Sequence, residues 1–180
     1  MLSIKIRGLY FPFRSLTGKK KGFQWVKLDL GGKVLQIINT HLVCVYNTNR
    51  KNENKSLLSQ LEQLINSLIN VGPSVVVGDL NFLPYSMFYN KFLEFTGLYD
   101  SSKNFGGVTI LNNNKEKPTT PRGLRLDYAF LPGSLLRLSK QKIIFNEEIN
   151  FARKTTYLSD HFGVLTIIDY PYGRDRTKKG

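Results

Sequence analysis

Ser74-Val75-Val76-Val77-Gly78-Asp79-Leu80-Asn81 runs from a wholly apolar stretch straight into a glycine, an aspartate and an asparagine. Three valines in a row show no polar alternation, so the strand they predict is one buried on both faces. Pro73 closes the segment before it, where Arg50 to Asn70 carries the clearest helical pattern of the chain. Leu57, Leu58, Leu61, Leu64, Ile65, Leu68 and Ile69 recur at i, i+3/i+4 and i+7 and line one face. Upstream again, Phe23–Leu30 and Lys33–Leu42 read as strands joined by Gly31-Gly32, a two-residue hairpin signal.

Outward from this centre the alternation continues. Ser3–Tyr10 is a short alternating segment, followed by a turn-rich basic stretch from Arg14 to Lys21. A second helix is predicted from Ser86 to Phe95, ended by Gly97, with Phe88, Tyr89, Phe92 and Phe95 facing the core. Gly106–Leu111, Leu124–Leu131, Leu135–Phe145 and Phe162–Asp169 read as strands between turns rich in Pro, Gly and Asn. Each helix falls between strands, which predicts a layered α/β domain with a mixed sheet.

The chain has 180 residues, 41% hydrophobic, enough for one domain with a core of its own. Its single cysteine, Cys44, excludes an internal disulfide framework and a four-cysteine zinc site. No apolar run is long enough for a membrane helix, and the opening segment lacks the apolar centre of a signal peptide, so a soluble protein is expected, the cytoplasm favoured but a signal in a missing N-terminal part left open. The 26 basic residues exceed the 13 acidic ones, for a net charge of +13. Such a surface favours anionic partners, yet Lys, Asn, Ile, Tyr and Phe share AT-rich codons, and the lysines are scattered. Charge alone names no ligand.

Four segments place polar groups just past apolar runs: Asn39-Thr40-His41-Leu42, Gly78-Asp79-Leu80-Asn81, Leu126-Asp127-Tyr128 and Ser159-Asp160-His161-Phe162. Together they hold both histidines of the chain, and the ends of buried strands are where open α/β sheets gather ligands. A chemistry that uses all of them is phosphoester hydrolysis, which rests on positioning and charge neutralisation. Asp79, Asn81 and Asp160 offer hard oxygen donors suited to Mg2+ or Mn2+. An imidazole can remove a proton from water near neutral pH, and an aspartate behind it fixes its tautomer.

In order and approximate spacing these four motifs resemble the endonuclease/exonuclease/phosphatase superfamily, which includes deoxyribonucleases, abasic endonucleases, inositol polyphosphate phosphatases and sphingomyelinases. The stretch from Lys21-Gly22-Phe23 to Gly-Asp-Leu-Asn most resembles the sphingomyelinase-like branch. The resemblance implies a four-layer α/β sandwich of the deoxyribonuclease type, spanning residues 1–170 and followed by a basic tail at 171–180, and divalent-metal-dependent hydrolysis. It implies His161 as general base, Asp127 orienting it, and His41 on the phosphate or the leaving group. Asp79 would position water or share the metal, Asn81 would hold the phosphate, and Asp160 would join Asp79 and Asn81 at the Mg2+ or Mn2+ site. Ser159 and Thr40 would support them. The phosphoester partner is left open among nucleic acid, phospholipid headgroup and inositol phosphate, with the loop Ser101–Arg122 a candidate for substrate contact.

The chain departs from the family in one respect: no strand ending in Asn, and none ending in a Gln-Glu pair, precedes His41. Three readings follow. In the first the chain is the C-terminal portion of an active hydrolase, with the N-terminal part of the domain missing. In the second it is an enzyme with an altered metal site. In the third it is a non-catalytic module that binds anions through Lys19–Lys21, Arg122 and Arg125. Under the first reading the chain alone turns over little substrate.

Overall fold

A computed structural model describes residues 4–14, 21–30, 32–44, 51–103, 107–111, 123–137, 139–152 and 154–169. The strands β1 (Ile4–Pro12), β2 (Gly22–Leu30) and β3 (Val34–His41) form an antiparallel meander. The β2–β3 turn falls where the glycine pair predicts it: Leu30 N–H donates to Lys33 O at 2.8 Å, and Gly32 N–H to Asp29 Oδ1 at 2.8 Å. Helix α1 (Lys51–Val71) then carries the chain across the sheet, so that β4 (Val75–Asp79) lies parallel to β3. Parallel neighbours need such a crossover, because no tight turn can join them.

Beyond β4, α2 (Met87–Thr96) begins at Ser86, whose hydroxyl accepts from Tyr89 N–H at 3.3 Å. It ends at Gly97, in the left-handed conformation with its N–H on Leu93 O, as a C-terminal glycine should. Two residues, β5 (Tyr99–Asp100), pair with the later strand β8 (Asp127–Leu131) and complete a six-stranded mixed sheet in the order β1-β2-β3-β4-β8-β5. The short pair β6 (Ile110–Leu111) and β7 (Gly123–Leu124) precedes β8. A helical turn, α3 (Gly133–Leu136), follows it, then the strands β9 (Ser139–Ile144), β10 (Ile149–Phe151), β11 (Lys154–Thr156) and β12 (Gly163–Ile168).

Alternation along the strands sorts side chains onto two faces. Phe23, Ile38, Val76, Tyr128 and Phe130 meet Leu57, Leu61, Leu64, Leu68 and Phe92 of the helices in the main core. On the opposite face Val75 and Leu131 pack with Leu135, Leu35, Ile37, Val77 and with Ile168 from the β9–β12 ladder. The layers run helices, large sheet, small sheet, three of the four layers of the expected α/β sandwich, and in β4 Val75 and Val76 are buried with Val77 half-buried.

Several sequence expectations are corrected. The strand Leu124–Leu131 is broken at Arg125 and Leu126, because Arg125 turns into a buried ion pair with Asp100 and Leu126 N–H leaves the ladder for Thr109 Oγ1. The strand Leu135–Phe145 begins only at Ser139; Pro132 leads instead into α3, where Leu135 N–H bonds Pro132 O. Ile69 and Phe95, assigned to core faces, are exposed at 64% and 56%, each at the solvent margin of its helix. The β10–β11 hairpin, with every residue of β11 exposed, has no counterpart in the sequence reading. Most of the Arg14–Lys21 stretch, the 112–122 part of the candidate loop and the tail 171–180 lie outside the described residues. No described helix is long and apolar enough to cross a membrane.

Candidate active site

Strand register places His41 of β3 beside Asp79 of β4, and Asp79 opposite Asp127 of β8. All three side chains occupy one end of the sheet, on the face turned away from the helices. His161, at the start of the segment entering β12, completes the row: its Nδ1 lies 2.8 Å from Asp127 Oδ2. A carboxylate can only accept, so Nδ1 carries the ring proton and Nε2 keeps its lone pair for a reacting group.

The Gly-Asp-Leu-Asn segment is shaped by two residues in unusual backbone conformations. Gly78 has φ 126°, and a Cβ there would stand 2.0 Å from Thr40 O, so only glycine allows β4 to approach β3 so closely. Asn81 has φ 53°, a left-handed conformation that asparagine tolerates. That turn folds Asn81 back on Asp79: its backbone N–H donates to Asp79 Oδ1 and its Nδ2 to Asp79 Oδ2, both at 2.9 Å. Nδ2 also reaches Leu42 O at 2.9 Å, which ties the end of β3 to the end of β4. Asn81 is therefore a brace for Asp79, buried among backbone partners.

Asp79 faces Asp127 across the ladder. Burial, reinforced by the charge of Asp127, pushes its carboxyl up to about 6 against the opposing pull of the Asn81 N–H, His161 and Lys21. His41 Nε2 is 3.4 Å from Asp79 Oδ2. A strong ion pair would raise the histidine and lower the aspartate. Here both move the other way: burial, with the charges of Lys21 and His161, lowers His41. The contact is thus not a strong ion pair, and a neutral His41 ring can offer an N–H to an anionic oxygen. His161 behaves differently. Burial opposes its protonation, but the hydrogen bond and charge of Asp127, with the charges of Asp79 and Asp160, outweigh that and raise its pKa.

Among the expected supporting residues, Ser159 shapes the His161 segment, accepting from His161 N–H at 3.1 Å and donating to Asp160 Oδ1 at 3.2 Å. Thr40 is turned to the helix side and donates to Gly22 O. Beside His41 and Asp79 opens a cleft of about 440 Å3 walled by Tyr10, Lys21, Gln24 and Asn39. Asn39 and Lys21 stand in the quoted segments, whereas Gln24 and Tyr10 do not; hairpin parity places both, since Asn39 shares a face with His41, and the register sets Gln24 opposite Asn39 and Tyr10 opposite Gln24. Lys21 Nζ donates to Leu42 O at 2.6 Å, which holds its charge near His41.

The donors at this site fit the divalent ion that the resemblance implies only in part. Asp79 receives both N–H groups of Asn81, Asn81 presents its amide nitrogen rather than oxygen to that carboxylate, Asp127 holds His161, and Asp160 is exposed and bonded to Ser159. Among the described residues no three His, Cys, Asp or Glu side chains gather closely enough to hold a metal. The expected set of Asp79, Asn81 and Asp160 is thus not a complete coordination shell, since Mg2+ and Mn2+ call for several converging oxygens.

Comparison with solved structures returns the same architecture. Sphingomyelinase C from Streptomyces griseocarneus superposes with a TM-score of 0.59 at 20% identity, covering 89% of this chain and 63% of that one. Truncated TDP2 from Caenorhabditis elegans gives 0.65 at 18% identity, covering 93% and 66%. A mutant beta toxin from Staphylococcus aureus with bound magnesium ions gives 0.62 at 16%, covering 92% and 64%. At these identities the likeness is one of fold, and the chain spans less than two thirds of the length of each. A search of curated proteins finds no match. A profile of the Endonuclease/Exonuclease/phosphatase family matches residues 10–161. That span opens in β1, passes through every strand-end segment of the row and closes on His161, and the chain belongs to the endonuclease/exonuclease/phosphatase family.

Proposed function

We propose that this chain supplies the general base and the phosphate-binding side of a phosphodiester hydrolase. Family membership makes hydrolysis of phosphoester bonds the coarse expectation. The observation that carries the finer reading is the 2.8 Å contact between His161 Nδ1 and Asp127 at the end of a row that also holds His41 and Asp79. His161 Nε2 takes a proton from water as the water oxygen attacks phosphorus, and Asp127 holds the ring in the tautomer that does this. His41 donates its N–H to a non-bridging oxygen, where charge grows in the transition state. Asp79, fixed by Asn81, positions the water and keeps His41 in line. The bond to the leaving oxygen breaks, and that oxygen is protonated from solvent.

No step here runs through a metal, because these residues do not complete a site for one. The magnesium seen in the beta toxin structure makes dependence on Mg2+ or Mn2+ the expectation to test, with ligands drawn from outside the described residues. The reading of the chain as an anion-binding module without turnover takes support from that same gap. It loses one of its named cations, however, since Arg125 is buried against Asp100 and not offered to a ligand.

For substrate, the β10–β11 hairpin stands just before the His161 segment, with its Phe151 exposed at 70%, and Phe145, just past β9, is exposed at 63%. These rings offer an apolar contact to the part of a substrate that does not react, a base or a lipid chain. Full-length protein assayed on plasmid DNA, abasic DNA, sphingomyelin and inositol phosphates separates these classes. Turnover of bis-p-nitrophenyl phosphate, its loss with EDTA, and a drop of ~10²–10⁴-fold in His161→Ala test the chemistry itself. An EDTA-resistant rate would remove the metal from the account.

A further inference from the structure

The Asp127–His161 contact joins side chains 34 positions apart, one on the large sheet and one entering the separate β9–β12 ladder. β12 packs against β8, but no strand pairing joins the two ladders at these residues. A third segment spans them. Thr109, fully buried and outside all four motifs, makes hydrogen bonds to both sides. Its Oγ1 accepts from Leu126 N–H at 2.9 Å and from Asp127 N–H at 3.1 Å. Its own N–H donates to Leu124 O at 2.8 Å, and its carbonyl accepts from Phe162 N–H at 2.7 Å. The next residue, Ile110, forms an isolated bridge with His161.

We propose that Thr109 is a positioning residue that sets Asp127 against His161, its hydroxyl fixing one segment and its carbonyl the other. The proposal rests on the reading of that pair as the proton-accepting unit. The chemistry explains the residue type. Leu126 lies at the strand break and Asp127 opens β8, and the N–H groups of both turn to Thr109 rather than to a neighbouring strand; buried N–H groups are almost always paired, so they need such an acceptor. A hydroxyl oxygen has two lone pairs and serves both. Valine has the same shape without the acceptor; serine keeps the acceptor and drops the methyl group.

The test compares Thr109→Val and Thr109→Ser in the full-length protein. The readout is the low-field proton resonance of the imidazole N–H that Asp127 holds, assigned by its loss in His161→Ala. Thr109→Val is expected to lose or shift this signal while its amide spectrum stays folded, and to lower kcat on bis-p-nitrophenyl phosphate by ~10–100-fold with KM unchanged. Thr109→Ser is expected to restore both. A wild-type signal and kcat in Thr109→Val would overturn the proposal, as would a Thr109→Ser variant no better than Thr109→Val. If Thr109→Val does not fold, amide exchange in the unmodified protein decides. Joint strong protection of the Leu126, Asp127 and Phe162 amides supports the clamp, and loop-like exchange at any of them refutes it. A wild-type protein without turnover would sink the hydrolase reading alone, since the imidazole signal still reports on the pair.

Discussion

Gly78 carries a constraint that no other side chain could meet. Its backbone lies against Thr40 O, and any Cβ would overlap that oxygen at 2.0 Å. Gly78→Ala is therefore expected to destabilise the fold by at least ~1–3 kcal/mol, read as a lower urea midpoint; an unchanged midpoint would mean that β3 and β4 are not so close. At this scale the site was legible to a large degree. His41, Asp79, Asn81, Asp127 and His161 all stand out by strand-end position; strand register aligns His41, Asp79 and Asp127, His161 joins the row through Asp127, and Asn81 braces Asp79. The signal existed because polar groups at strand ends interrupt apolar runs. Thr109 gave no such signal: a buried threonine beside Val108 and Ile110 reads as part of a strand, and only its hydrogen bonds show otherwise.

At the scale of elements, long periodic patterns were readable and short ones were not. Helix α1 declares itself through its leucines, and α2 through Ser86 and Gly97. The break between β7 and β8 was hidden, because Leu124 to Leu131 keeps the alternation of one strand while a long-range ion pair decides its course. Arg125 donates to both oxygens of Asp100, at 2.8 and 3.1 Å, and to Ser102, with its guanidinium 4.7 Å from the Tyr128 ring. Tyr89 O–H adds a bond to Asp100 at 2.9 Å. Arg125→Ala should cost ~3–5 kcal/mol, because it leaves a buried carboxylate without its partner. The network also predicts a pH dependence. Burial disfavours the Asp100 charge, but the bonds from Arg125 and Ser102 outweigh it and hold its pKa below the usual carboxylate value. The stability it contributes is present above the unfolded value near 4 and is lost as pH falls through the folded one. Denaturant midpoints below pH 4 should fall less steeply in Asp100→Asn than in wild type; parallel curves would argue against the network.

Over the whole molecule, the sheet is covered unevenly. The β9–β12 ladder packs beside β4 and β8, whereas at the far edge β1 leaves Ile6 exposed at 68% and has one side of its backbone unpaired by any described strand. An unpaired edge with apolar side chains invites association. Ile6→Lys should shift sedimentation of the chain toward monomer, and identical profiles would show that this edge is not in use. The four-motif pattern made the family legible, and the matched profile over residues 10–161 agrees. The divalent-metal expectation was not legible in the same way, since it depends on converging oxygens that the described residues do not gather. The proposed chemistry turns on His161 acting as base with Asp127 behind it. Hydrolysis of bis-p-nitrophenyl phosphate by the full-length protein and by its His161→Ala variant tests that most directly. Turnover by wild type and a loss of ~10²–10⁴-fold in the variant are expected; equal rates in the two, or no turnover by either, would contradict this role of His161.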